Sequence, residues 1–295
     1  MKTTQRLREL LNTETRPVML PGAPNALTAR VVEQEGFAAA YVSGAGVTNS
    51  YLGMPDLGLL TLSELVGHVS AMADSVSIPL VVDADTGFGN ALNVQRAVRQ
   101  LERAGAAAIQ IEDQISPKKC GHFAGKEVVS MAEMVGKVHA AVDARLDEDL
   151  LIIARTDARA TAGIGGACER AAAYLDAGAD ILFVEAPESV EEMSYLVQQV
   201  PGTHMANMVE GGLTPLMTKS ELADLGFSIA LYANAAMRGA VVGMRAVLQH
   251  LANYGDTKEA DKLMISWHDR QSLVRKPEFD ALDKQYATDL DSREL

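Results

Sequence analysis

Asp83 and Asp85 stand as a D-x-D in VVDADTGFGN, and Glu112-Asp113 closes the apolar run AAAIQIED. An extended chain sends alternate residues to opposite faces, so both carboxylates of the D-x-D project to one side. With Glu112 from a neighbouring strand they form an all-oxygen set of the kind that holds a hard divalent cation such as Mg²⁺. Asp56, in MPDLG, is a further candidate for this set. A single aspartate of this kind reads more readily as a helix cap, whereas so many acids on one rim need a cation between them. No Cys/His spacing is present that would suit zinc. The second chemical feature is Cys120, between Lys119 and Gly121-His122 in PKKCGHFAGK. Nearby positive charge favours a thiolate and makes the sulfur a usable proton donor or nucleophile. The connection from Asp113 to the helical pattern near Met131 is long and carries Gly121 and Gly125, as lids do. Cys168, in a helical pattern, reads as a small buried hydrophobe, and His139, His204 and His250 read as structural or exposed.

These groups share a place in the hydrophobic pattern. Eight short apolar runs read as strands: Val18–Leu20, Ala39–Val42, Leu80–Val82, Ala108–Ile111, Leu150–Ala154, Ile181–Val184, His204–Met208 and Ser228–Leu231. Helical patterns separate most of them. Val94, Ala97, Val98 and Leu101 make one helical face, and Gly105 stops it. Gly36, Gly178 and Gly226 occupy the same place before later runs, so an αβ connection repeats along the chain. Eight βα units favour closure into a (β/α)8 TIM barrel, of the α/β class, over an open doubly wound sheet. DTGFGN lacks the third glycine of a dinucleotide fingerprint. In a barrel the active groups sit where strands end. Ser43-Gly44-Ala45-Gly46, Asp83, Asp85, Glu112, Arg155, Asp157, Glu185, Asn207, Glu210 and Asn234 all fall there, facing one rim.

Composition narrows the function further. The 295 residues carry 26 Lys+Arg against 39 Asp+Glu, a formal charge of −13, which excludes a nucleic-acid partner and points to a small-molecule site. Hydrophobic residues at 48% suffice for a large core, and residues 1–295 read as a single barrel domain. Residues 257–295 read as a C-terminal helical extension whose Trp267, Leu273, Phe279 and Leu282 pack on this or a neighbouring subunit. Two cysteines make no disulfide framework, and no apolar run is long enough for a membrane span or signal peptide. The chain therefore reads as a soluble cytoplasmic protein with no membrane partner.

The strings YVSGAG, GMPDLG, DADTGFGN, IEDQ, PKKCGH, ARTDAR, VEAP and ANMVEGG, spread from about Pro21 to about Leu251, resemble the isocitrate lyase/phosphoenolpyruvate mutase superfamily in content and order. Within it, CGH-x-x-GK and ANMVEGG are similar to the group of 2,3-dimethylmalate lyase, petal-death protein, oxaloacetate hydrolase and carboxyphosphonoenolpyruvate mutase, while methylisocitrate lyase resembles the chain in its cysteine loop and length but departs at these two strings. The resemblance implies a Mg²⁺-dependent barrel, with Mn²⁺ as a substitute, whose eighth helix is swapped between partners in a homotetramer, a dimer of helix-swapped dimers. It implies that Asp83, Asp85 and Glu112 serve the metal, Asp85 directly. Tyr41, Ser43, Gly44, Ala45, Asp56, Lys118, Gly121, Asn207 and Glu210 would bind a small carboxylic-acid substrate. Cys120, Arg155, Glu185 and His122 would be catalytic, with Cys120 as the acid on a lid. The expected reaction is retro-aldol cleavage of a 2-hydroxy di- or tricarboxylate, of the 2,3-dimethylmalate or 2-methylisocitrate type, to a 2-oxo acid such as pyruvate plus a carboxylic acid. Oxaloacetate hydrolysis or decarboxylation, and carboxyphosphonoenolpyruvate phosphonomutase activity, are the alternatives.

Overall fold

A parallel strand buried on both faces needs only a short apolar run, and a computed structural model shows eight of them. It describes residues 1–13, 17–119 and 125–287. The strands are β1 (Val18–Pro21), β2 (Ala40–Val42), β3 (Leu80–Asp83), β4 (Ala106–Glu112), β5 (Leu151–Thr156), β6 (Ile181–Val184), β7 (Met205–Asn207) and β8 (Ile229–Tyr232). The helices before and between them are α1 (Thr3–Leu11), α2 (Ala26–Gln34), the short α3 (Gly44–Val47), α4 (Leu62–Ser75), α5 (Ala91–Arg103), α6 (Met131–Ala144), α7 (Arg159–Asp176), α8 (Val190–Gln199) and α9 (Lys219–Leu225). All strand pairs are parallel, in the orders β1-β8-β7 and β2-β3-β4-β5-β6. Single parallel bridges, Gly22 to Tyr41 and Leu182 to His204, join the two sheets into a closed ring. The expected (β/α)8 barrel is the fold observed.

Local chemistry explains the boundaries. Asn25, Thr61, Asn90, Ser130, Ser189 and Thr218 cap helices by accepting a backbone N–H, and Thr61, Asn90 and Thr218 do so in reciprocal capping boxes. The glycines that close the helical patterns, Gly36, Gly105, Gly178 and Gly226, all have left-handed backbone. At Gly105 a side chain is excluded twice over, because φ is +104° and a Cβ would lie 2.5 Å from that of Ala73.

The period of two along each strand divides the core. Val42, Val82, Ile109, Ile111, Ile152 and Leu182 face outward against Leu65, Val69, Val98, Leu101 and Met134 of the helices. Tyr41, Val81, Ala108, Ile153, Ile181, Phe183, Ile229 and Leu231 face inward and fill the barrel. The inward set continues as Asp83, Gln110, Glu112, Arg155 and Glu185, so the lining turns from apolar to charged toward the C-terminal ends of the strands.

Sequence reading assigned no element to residues 3–11, which form α1. Its Leu7 and Leu11 join the interior cluster, and Arg8 binds Asp180 and the Asp149 carbonyl just ahead of β6 and β5. The helix thus stoppers the N-terminal end of the barrel.

Residues 239–295 form a second compact unit. It takes in most of α10 (Ala235–Tyr254), together with α11 (Trp267–Leu273) and α12 (Lys276–Tyr286), which pack on one another. Leu273 is buried there, while Trp267, Phe279 and Leu282 are exposed, as are Val242, Met244, Leu248 and Tyr254 of α10. No helix among the described residues is long and apolar enough to cross a membrane.

Leu7 is only 1% exposed, so Leu7→Ala should leave a cavity and lower unfolding free energy by about 2–5 kcal/mol in chemical denaturation. A loss under about 0.5 kcal/mol, the range of surface substitutions, would show that α1 is dispensable to the core.

Candidate active site

The charged end of the barrel encloses a cavity of about 170 Å³, lined by Tyr41, Ser43, Ala45, Asp56, Asp83, Lys118, Arg155, Phe183, Glu185, Asn207, Val209, Leu231, Ala233 and Asn234. The expected residues within the described part of the chain take places relative to it as follows. Tyr41, Ser43, Ala45, Asp56, Asp83, Lys118, Arg155, Glu185 and Asn207 form its wall. Asp85 and Glu112 are buried beside it and meet wall cations. Glu210 does not line it and instead pairs with Arg238 at 2.8 Å. Cys120, Gly121 and His122 lie outside the described residues.

β2 ends in Ser43, whose hydroxyl accepts the Gly46 N–H at 3.1 Å and starts α3. This turn brings the Gly44 N–H to Asp83 Oδ2 at 3.2 Å, and a Cβ on Gly44 would crowd the carboxylates of Asp85 and Asp83 at 3.0 and 3.2 Å. Glycine lets the backbone approach the acids this closely. Asp83 Oδ1 accepts from the Asp85 N–H and from Gln110 Nε2, each at 3.1 Å. Asp85 itself takes left-handed backbone, φ +47°, a conformation aspartate tolerates better than most residues.

Lys118 reaches in from the β4–α6 connection and places its ammonium 2.5 Å from Asp56 and 2.9 Å from Asp85. Burial pulls its pKa down, but Asp85, Glu112, Asp83 and Asp56 together raise it above the ordinary lysine value, so it stays charged. Burial pushes the Asp85 carboxyl up to about 7, against the pull of Lys118. Burial likewise raises Glu112 well above the usual range in spite of Arg155.

Arg155 is held from behind. Asp157 accepts from its Nε and Nη2 at 2.9 and 3.0 Å, and the guanidinium lies over the Phe183 ring, 5.1 Å from its centroid. Glu112 and Glu185 stand 3.4 Å from its other faces. Asp157 also binds Lys126 at 2.8 Å, and these two cations outweigh burial to lower its pKa. Asp113 fixes this support by accepting the Asp157 N–H, the Thr156 and Tyr174 hydroxyls, and Arg170. Gln110, Lys126 and Phe183 were missed in the sequence. Gln110 left a signal as the one polar side chain inside AAAIQIED ahead of its acids, and Lys126 as the lysine of CGH-x-x-GK.

The donor set fits a divalent cation by its chemistry. Asp85 Oδ1 and both Glu112 oxygens are buried without a hydrogen-bond partner, although they face Lys118 and Arg155 as ions. Carboxylates raised by burial are those a cation relieves. Among the described residues, no three Asp, Glu, His or Cys side chains already stand in a coordinating arrangement. Lys118 supplies the positive charge among Asp56, Asp83, Asp85 and Glu112.

A family model described as phosphoenolpyruvate phosphomutase matches residues 7–252. The chain is 46% identical to 2,3-dimethylmalate lyase of Eubacterium barkeri, over 98% of this chain and 99% of that protein. It is 47% identical to a 2-methylisocitrate lyase of Aeropyrum pernix, over 89% and 87%. The solved structure of phosphonopyruvate hydrolase, complexed with oxalate and Mg²⁺, superposes with a TM-score of 0.87 at 34% identity, covering 97% of this chain and 99% of that one.

Because the folded Asp85 carboxyl titrates near 7, above its ordinary 3.8, the native state holds that proton more tightly than the unfolded chain. Metal-free protein should therefore lose stability relative to Asp85→Asn as pH rises from about 4 to about 7. Over the same window the rise in melting temperature produced by a divalent cation should grow, since the cation displaces the proton. Paired thermal melts with and without the cation check both signs, and a wild-type advantage that grows with pH would contradict the assignment.

Proposed function

Given that the chain belongs to the phosphoenolpyruvate mutase/isocitrate lyase superfamily, we propose that it is a carbon–carbon lyase that cleaves a 2-hydroxy di- or tricarboxylate, of the 2,3-dimethylmalate or 2-methylisocitrate type, to a 2-oxo acid such as pyruvate and a second carboxylic acid. The observation that carries this reading is the cavity itself, where the Arg155 guanidinium adjoins a buried oxygen-donor set in a space sized for a small acid. Similarity to 2,3-dimethylmalate lyase along nearly the whole of both chains supports the same reading.

Arg155 pairs with a substrate carboxylate, its fork held square by Asp157 so that little rotamer freedom is lost on binding. Tyr41, Ser43 and Ala45 shape the pyruvate-like end of the cavity, and Asn207, held at 3.3 and 3.4 Å from Glu185, closes the far wall. Asp85 would hold Mg²⁺ or, in its place, Mn²⁺, with Asp56, Asp83 and Glu112 ordering its waters. When bound, the metal supplies a Lewis acid that polarises the 2-hydroxy acid. A carboxylate of the cavity wall takes the C2 hydroxyl proton, the C2–C3 bond breaks, and its electron pair leaves on the departing carboxylate-stabilised fragment. Cys120, which lies outside the described residues, then protonates that carbanion as the acid, and His122 and Gly121 are assigned to the same site. Burial holds the Tyr41 phenol well above its ordinary pKa, with Asp83 adding to the effect, so Tyr41 serves as a neutral group. We place the enzyme in the cytoplasm as a homotetramer of helix-swapped dimers, with the exposed apolar side chains of residues 239–287 as the contact surface. Light scattering on the purified protein should then give four times the 31.5 kDa chain mass. A monomer would remove the swap from the reading.

Proton NMR with Mg²⁺ and a pool of 2-methylisocitrate, 2,3-dimethylmalate, 2-methylmalate and oxaloacetate tests the reaction. One hydroxy acid should vanish as a 2-oxo acid and its partner acid appear in equal amounts, and chelation should stop it. Cys120→Ser should lower turnover by about 10²–10⁴-fold, the usual contribution of a positioned acid. Oxalate plus acetate would instead mark oxaloacetate hydrolysis. An untouched pool together with a phosphorus NMR change in a carboxyphosphonate would mark the mutase.

A further inference from the structure

Arg155 carries one positive charge and meets three carboxylates. Asp157 accepts from its Nε and Nη2, while Glu112 and Glu185 each stand 3.4 Å from the guanidinium. The proposed reaction asks the same group to hold a fourth, the carboxylate of the substrate. An arginine neutralised by its own support has little attraction left for an anion that must first leave water. Part of that support has to be balanced from elsewhere.

Lys126 stands where it can do so. Its ammonium lies 2.8 Å from Asp157 Oδ1, the same oxygen that accepts Arg155 Nη2 at 3.0 Å. The side chains of Lys126 and Asp157 are only 3% and 0% exposed, so their charges act through a poorer dielectric than those of a surface pair. The backbone fixes this position. Residues 127–129 fold back along the end of β4, where the Ile115 N–H donates to the Glu127 carbonyl at 2.9 Å and the Val129 N–H to the Asp113 carbonyl at 2.8 Å. Gln114 and Val128 form an antiparallel bridge between these two bonds. The Asp113 carboxylate in turn accepts the Asp157 N–H at 2.9 Å. Asp113 therefore anchors both the segment that delivers Lys126 and the acid that Lys126 meets.

We infer that Lys126 is a positioning residue that works through Asp157, taking up the charge of that carboxylate so that Arg155 keeps its own for the carboxylate of a ligand. This rests on the proposed pairing of Arg155 with a substrate carboxylate. Of Lys126, Asp157 and Arg155, two are cations, and one positive charge is left over for the ligand. Without Lys126, Asp157 cancels the guanidinium and holds only its direction. Loss of the lysine charge should therefore weaken an anion, and it should not weaken a metal, because removing one cation cannot repel another.

Isothermal titration of oxalate into the full-length protein, saturated with Mg²⁺, reads the effect. Lys126→Gln removes the charge but keeps a donor for Asp157. It should weaken oxalate about tenfold or more, the order expected for charges several ångströms apart in a partly dry site. Lys126→Arg, which restores the charge, should stay within about threefold of wild type. In an Asp157→Asn background no charge is left to offset, so adding Lys126→Gln should weaken oxalate by less than about twofold. Mg²⁺ titrated alone should bind Lys126→Gln at least as well as wild type, whereas a merely disordered site would bind both ligands poorly. Oxalate affinity in Lys126→Gln within about twofold of wild type, an equal loss in the Asp157→Asn background, or weakened Mg²⁺ overturns the inference. If Lys126→Gln fails to fold by circular dichroism, the double variant compared with Asp157→Asn decides alone, and a loss above about twofold there overturns it equally. Cleavage of a hydroxy acid with oxalate affinity untouched by Lys126→Gln would sink this inference and leave the proposed reaction standing. An Asp157-dependent loss without cleavage of any hydroxy acid would do the reverse, and a wild type that does not bind oxalate would overturn the inference outright.

Discussion

Asp56, Asp83, Asp85, Glu112, Asp157 and Glu185 are gathered at one end of the barrel, and among the described residues Lys118, Lys126 and Arg155 are the cations that meet them there. Removing a carboxylate from water costs several kcal/mol unless a counter-charge and hydrogen bonds replace the solvent. Here the acids outnumber the cations, and the deficit shows on Asp85 and Glu112, whose pKa values burial raises against the pull of Lys118 and Arg155. The rest of the molecule makes this imbalance tolerable. Asp83 is saturated with N–H donors, Asp157 is flanked by two cations, and Asp113 takes four donors of its own.

That arrangement is set by strand pairing. Tyr41 pairs with Val81, Asp83 with Gln110, Glu112 with Arg155, and Arg155 with Phe183, and the Asp83–Gln110 partnership depends on a register shift between β3 and β4 at Leu80/Val81. Below them the inward residues are apolar and packed, with α1 under the barrel floor, which leaves the charged layer no room to relax downward. Rigidity here comes from the core, and the polarity of the site from the last residue or two of each strand.

This division explains what could be read without coordinates. Period two and the αβ glycines locate the strands, and the position of an acid at the end of a run places it on the rim. Asp83, Asp85, Glu112, Arg155 and Glu185 were therefore legible as a group. What depends on rotamer and partner was not. Glu210 has the same strand-end credentials as Asn207, yet Arg238 on α10 draws it away from the cavity. Lys118 carries no periodic signal, because a loop path and not a strand delivers it to Asp56 and Asp85, and only the family resemblance pointed to it. α1 shows too little apolar surface, essentially Leu7, Leu10 and Leu11, to announce a buried helix, since it covers only the mouth of a ring.

The same division sets how finely the site can choose. In the proposed reading, strand-borne groups address what every 2-substituted acid shares, with the Arg155 guanidinium for a carboxylate. Their partners are buried and inflexible, so an atom of the wrong polarity leaves them unsatisfied, a discrimination that can reach orders of magnitude. Val209, Ala233 and Asn234 line the cavity from the connections after β7 and β8, where the proposed reading places the groups beyond C2. An added methyl there is worth only about 1–3 kcal/mol. In the proposed reading the grip on the shared acid core lies with the barrel strands, while the proton donor Cys120 and the groups that meet the length and branching of the acid lie on the connections.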